Sequence, residues 1–304
     1  MDYFVDMKFA CLAILPIAAA PLFLPATARA GDGWESIGTG MTAGASGIAV
    51  LSRDDDRVDA LVLRDNKKPG ENRAARVRLF DGRVSKVDRI DWPGELPVDL
   101  EATEAIPGKA GEFIALASGG KGFHIKLNDR RLKVLGTFQV PMGYADDNYE
   151  SFALKKVDDR LFAVWADRGQ DARPATLYSA EFSVPRLSFG KPKAIPFRVS
   201  YPTTDVRHAS DVEITADNRV LIAAASDPGD TGPFDSAVYA AGSLRSDGSI
   251  ALSPTPVKIG DFPGHKIEAM TCLSRSCDSL LYGTDDEAAG GSVRIVTGNE
   301  PEDQ

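Results

Sequence analysis

Five short segments of the 304-residue chain share one pattern: a polar or acidic residue, then a run of small and apolar ones. They are SGIAVLS (46–52), EATEAIP (101–107), ESFALKK (150–156), DVEITAD (211–217) and EAMTCLS (268–274). Their first residues, Ser46, Glu101, Glu150, Asp211 and Glu268, follow one another at intervals of 55, 49, 61 and 57 residues. A recurrence on that scale means that one supersecondary unit is repeated, each copy burying its apolar faces against its neighbours.

Each segment is followed by a second run: ALVLRD, EFIALAS, LFAVWAD, VLIAAAS and LLYGTDD. Short, nearly continuous apolar runs bounded by turn residues predict strands buried on both faces. The third runs (AARVRLF, GFHIKL, ATLYSAEF, SAVYAAGSL, GSVRIV) and the fourth (SKVDRIDW, KVLGTFQV, GKPKAIPF, TPVKIGDF) are mixed in character. They suit strands nearer an edge. The fifth unit lacks a fourth run, and GWESIGTG (33–40), ahead of the first unit, has the character of the missing strand. No amphipathic helical pattern competes with this reading, which disfavours an α/β fold. The expectation is an all-β fold: a single β-propeller of five four-stranded blades over residues 31–297, its ring closed by the N-terminal strand pairing onto the last blade. Residues 298–304 form a polar tail.

In such a ring the first strand of each blade lines the central channel, so equivalent residues at its start converge on one mouth. Glu101, Glu150, Asp211 and Glu268 are expected there, with His208 and His265 each three residues ahead of its blade's acid. Arg168, at the end of a second strand, and Lys266, beside His265, belong to the same face. Like charges in a narrow channel must take up protons, find cations or bind a metal. Oxygen ligands without thiolates favour calcium, so Ca2+ is the expected cofactor, held by Glu101, Glu150, Asp211 and Glu268. His208 and His265 are then the acid and base candidates, and Arg168 and Lys266 the groups that stabilise developing negative charge.

The N-terminal stretch MKFACLAILPIAAAPLFLPATARA has a lysine, an apolar run and a small-residue ending, the pattern of a signal peptide cleaved after Ala30. A periplasmic or secreted protein without a membrane span follows, and in an oxidising compartment Cys272 and Cys277 are expected to close a disulfide. A formal net charge of −9 disfavours nucleic acid and anionic membrane as partners. The chain is expected to be a monomer whose partner is a small-molecule, glycan or phosphorylated ligand at the mouth.

The phrases SGIAV, DLEA, NYESFAL, HASDVEI with ASDPGD, and HKIEAM with YGTDDE resemble the acid-glycine-apolar-alanine repeat of the phytase-like or esterase-like β-propeller proteins exported by bacteria. The resemblance implies a carboxylate-rich mouth and, as in the phytase-related members, calcium bridging acids to phosphate. By matched position, Glu101, Glu150, Asp211 and Glu268 inherit the acidic role, while Ser46 stands where the first blade would carry an acid. Three functions remain open at this point: calcium-dependent phosphoester or ester hydrolysis, ligand binding without chemistry, and glycoside hydrolysis by two channel carboxylates.

Overall fold

A computed structural model describes residues 33–298, together with Met1. The expected signal peptide and nearly all of the polar tail lie outside the described residues.

Strand β1 (Glu35–Gly38) comes first in the chain. Blade 1 is β2 (Gly47–Arg53), β3 (Arg57–Leu63), β4 (Ala74–Phe80) and β5 (Arg83–Ile90), and blade 2 is β6 (Leu100–Ala105), β7 (Glu112–Ala117), β8 (Lys121–Asn128) and β9 (Arg131–Gln139). Blade 3 is β10 (Tyr149–Val157), β11 (Arg160–Asp167) and β12 (Ala175–Ser183), with β13 (Ser188–Phe189) and β14 (Lys193–Phe197) both pairing with β12. Blade 4 is β15 (Val206–Ile214), β16 (Arg219–Ser226), β17 (Asp235–Leu244) and β18 (Ile250–Pro263). Blade 5 is β19 (Ile267–Cys272), β20 (Ser279–Thr284) and β21 (Gly291–Thr297), completed by β1 on its outer edge. The inner strands contact each other in a closed circuit, β2 to β6, β10, β15, β19 and back to β2. The fold is therefore the five-bladed propeller that the repeat predicts, closed by the N-terminal strand.

Packing follows from the pattern of the runs. The second strands are buried almost throughout, as in β16 and β20, so each must offer apolar side chains to both neighbouring blades. Of the apolar clusters among the described residues, five each fill one seam. Leu61, Leu63 and Phe113 join blades 1 and 2; Ile114, Phe152 and Trp165 join blades 2 and 3; Val164 and Ile222 join blades 3 and 4. Leu221, Met270 and Tyr282 join blades 4 and 5, and Ile48, Val62 and Leu281 close the ring. Where blades 1 and 2 meet near the axis the backbones approach so closely that a Cβ on Gly47 would lie 2.7 Å from the Thr103 nitrogen. Only glycine fits there.

Cys272 and Cys277 are bonded, closing a short loop at the end of β19. Loop-closure entropy for so short a span is worth about 2 kcal/mol. The double Cys272→Ser, Cys277→Ser protein is expected to fold and to melt a few degrees lower, measured by thermal denaturation under non-reducing conditions. Among the described residues no helix is long and apolar enough to cross a membrane.

Candidate functional site

The mouth is built by irregularities in the inner strands. On β6, β10 and β19 the pairing register slips by one residue at the mouth end, between Leu100 and Ala102, Tyr149 and Ser151, and Ile267 and Ala269. The extra residue in each case is the glutamate: Glu101, Glu150 or Glu268. A bulge leaves its residue outside the ladder and re-aims the side chain. All three glutamates line one cavity of about 350 Å3 at the axis.

Blade 4 departs from this scheme. Its inner strand begins at Val206, and the register slip spans three residues, His208 to Ser210, before pairing resumes at Asp211. The residue after the first strand position is thus Arg207, where blades 2, 3 and 5 carry a glutamate. Asp211 does not line the cavity. Its two oxygens accept hydrogen bonds from the Val212 and Met270 backbone N–H groups at 2.8 and 2.6 Å, which stitches β15 to β19. The four acids expected to share a metal are therefore not brought together: three line the mouth and the fourth is a buried seam residue.

Arg207 organises the ring it enters. Its guanidinium lies 2.9 Å from Glu268 and 3.5 Å from Glu150, and it also bonds Asp227. Glu150 has a second cation, Arg168, at 3.2 Å. Lys266, 1% exposed, lies 3.1 Å from Glu268 and bonds Glu287. Burial opposes the charges of Arg207 and Lys266, but the surrounding carboxylates outweigh it and hold both cations above their ordinary values.

Glu101 is different. Burial first, and then the neighbouring Glu150, Glu268 and Asp99 charges, push its carboxyl well above the usual range. No salt bridge reaches it among the described residues, and the charged neighbour on its own blade is Asp99. Burial works against Asp99 as well, yet hydrogen bonds from Lys67 and Ser118 hold it below the ordinary carboxylate value. Lys67 reaches it from blade 1 at 2.8 Å. Burial and like charges thus favour the proton on Glu101, while the partners of Asp99 favour its ionised form. Asp99 itself has φ of 64°, a left-handed conformation that aspartate tolerates better than most residues and that turns the chain into β6.

The two histidines take other places. His208, 4% exposed, accepts the Val199 N–H at Nδ1 and donates from Nε2 to the Asp171 carbonyl at 2.8 Å. Both ring nitrogens are committed to backbone, and burial lowers its pKa, so the ring acts as a neutral clamp between the loop after β14 and the loop before β12. His265 lies outside the cavity lining, with Nδ1 2.8 Å from Asp286 and its ring 4.4 Å from that of Trp34. Of the expected catalytic groups only Arg168 and Lys266 line the cavity, each already facing a carboxylate.

Calcium does not fit this donor set. The oxygens of Glu150 and Glu268 face guanidinium and ammonium groups, and among the described residues no three His, Cys, Asp or Glu side chains are grouped to hold a metal ion. Melting temperature is accordingly expected to be the same with and without chelator.

Asp99, two residues before Glu101, and Arg207, beside His208, are both expected at the mouth from the sequence, but nothing in it puts Arg207 in the position of the glutamates.

Further along the inner strands lies a second group of buried acids. Burial raises Glu213 to about 8, and Glu104 is pushed up by burial and by the nearby Glu213 and Asp211 charges. Asp285, near the mouth, is raised by burial to about 7. These carboxyls keep their protons in the folded chain but lose them near pH 4 when unfolded. The folded state thus binds more protons above that pH, and the stability they contribute is present below about pH 4 and lost as pH rises through 7 to 8. Denaturant melts should show a less stable protein at pH 8.5 than at pH 5.5, with a flatter profile for Glu213→Gln.

No protein-family model matches the chain, and no curated protein matches it. Solved structures do. An exo-1,5-α-L-arabinanase from a bovine ruminal metagenomic library aligns over 86% of this chain and 95% of its own, at 12% identity and a TM-score of 0.51. The likeness is one of fold. A GH43 endo-arabinanase from Bacillus licheniformis aligns over 84% and 94%, at 10% identity and a TM-score of 0.48. These similarities agree with the β-propeller and carry no residue of the mouth with them.

Proposed function

We propose that the protein is a glycoside hydrolase acting at the propeller mouth, with Glu101 as general acid. The observation that carries this reading is the contrast between two acids in one cavity: Glu101, buried without a salt bridge and pushed toward its protonated form, and Glu150, facing Arg168 and Arg207. Two carboxyl groups set apart by environment are what protonating a glycosidic oxygen and opposing an oxocarbenium-like charge require. Glu101 gives its proton to the departing oxygen as the bond to the anomeric carbon breaks. Water supplies hydroxyl to that carbon, and its remaining proton restores Glu101 over the cycle. Asp99, held below its ordinary value by Lys67 and Ser118, is one of the neighbouring charges that favour the proton on Glu101.

Charge favours a neutral saccharide over a phosphoester. Eight carboxyl groups and five cations line the cavity, so a phosphate dianion would enter against an excess of negative charge. The exo-arabinanase of similar fold makes arabinan the first polymer to assay.

The test is a panel of aryl glycosides, pentosides and hexosides of both anomers, with purified residues 31–304. Turnover of at least one, insensitive to chelator and falling as pH rises past the Glu101 titration, is expected. Absence of turnover across the panel and on arabinan would overturn the hydrolase reading.

A further inference from the structure

A second cavity, of about 390 Å3, lies on the mouth side of blade 3 and is lined by Tyr144, Asp146, Arg173, Pro174, Ile195 and Pro196 among others. It shares its two loops with the mouth. The loop 140–148 gives Tyr144 and Asp146 to this cavity and Asn148 to the central one; the loop 168–174 gives Arg173 and Pro174 here and Arg168 there.

Both loops are fixed. Asp147 accepts hydrogen bonds from the Tyr144 N–H at 2.9 Å, from the Tyr149 hydroxyl at 3.1 Å and from the Tyr178 hydroxyl at 2.7 Å. Fully buried Asp167 accepts the Asn148 N–H at 2.9 Å and holds the Arg173 guanidinium. The Arg168 N–H donates to the Asn148 carbonyl at 3.0 Å and ties one loop to the other. Gly143 lies against Tyr178 so closely that a Cβ would overlap the hydroxyl at 1.9 Å. On this rigid support the Tyr144 side chain is 62% exposed.

We propose that this cavity is a distal saccharide-binding subsite, occupied by a glycan chain that runs from the mouth across the two shared loops. The proposal rests on the glycosidase reading for the direction of that chain. A sugar ring presents an apolar C–H face, which suits an exposed aromatic ring backed by Pro174 and Pro196, and a rim of hydroxyls. Asp146 and Arg173, 3.8 Å apart, offer an acceptor and donors at the edge. The opposite charges favour a neutral hydroxylated ligand over an ionic one. A tyrosine whose backbone is already pinned loses little freedom on binding, so its contact contributes in full.

Affinity electrophoresis in gels containing arabinan, xylan or β-glucan tests this. At least one polymer should retard the wild-type protein, Tyr144→Ala should weaken that retardation about tenfold, as for a tyrosine anchor, and Tyr144→Phe should retain it. Equal retardation of wild type and Tyr144→Ala, or no retardation by any polymer, would overturn the subsite. Aryl monosaccharide glycosides are too short to reach it, so their turnover reads the mouth alone. Tyrosine-dependent polymer binding without aryl glycoside turnover would refute hydrolysis and leave the subsite standing; turnover with Tyr144-independent binding would do the reverse.

Discussion

Arg207→Ala is expected to destabilise the protein by about 3–5 kcal/mol, the range seen when one partner of a buried ion pair is removed. The cost comes from what remains: Glu150 loses one of its two cations, and Glu268 and Asp227 lose their contacts to the same guanidinium. The signature that separates this mechanism from a simple loss of packing is its pH dependence. Acids left without a partner can escape the penalty by taking up protons, so the deficit relative to wild type should be smaller at pH 5.5 than at pH 8. A deficit independent of pH would mean that Arg207 acts through shape alone. Urea melts of both proteins at the two pH values decide between them.

Glu101→Gln has the largest expected effect on chemistry. Loss of a general acid removes about 10²- to 10⁴-fold from the rate. Stability should hardly change at neutral pH, because glutamine puts an uncharged group of the same size where burial and like charges already disfavour the carboxylate. A variant that melts like wild type and has lost its turnover on the aryl glycoside identified by the panel is therefore the expected result. Unchanged turnover would remove Glu101 from the reaction. Arg168→Met should act differently, lowering the rate while leaving the Glu101-dependent limb of the pH profile, because it removes one cation from Glu150 and none from Glu101.

Much of this architecture is legible in the sequence because the propeller is repetitive. Each second run must be apolar on both faces to fill two seams, and that demand writes LFAVWAD and VLIAAAS in a form that no exposed strand would tolerate. The strand GWESIGTG could be assigned to the last blade because the fifth unit was one strand short. The site was less legible. Glu101, Glu150 and Glu268 were found because they begin equivalent strands, but Asp211 was placed with them by residue type when the insertion before it had moved Arg207 into their position. Nothing in RHASDVEI alone says where pairing resumes, since a bulge is decided by the partner strand. The histidines misled for a related reason. Each stands three residues before an acid, but His208 falls inside the insertion and turns to the backbone of the blade 3 loops, whereas His265 precedes its strand and meets Asp286. That the Glu101 carboxyl is pushed toward its protonated form was beyond sequence altogether, because it depends on burial and on which carboxylates the fold brings beside it.

That state is the centre of the account, and it can be measured without knowing the substrate. Carbon-13 NMR titration of the glutamate side-chain carboxyls, with Glu101 assigned by comparison with Glu101→Gln, reads it directly. A Glu101 signal still in its protonated position at pH 7 is the expected result. A Glu101 carboxyl that titrates near pH 4, as an exposed glutamate does, would contradict it and take the proposed general acid with it.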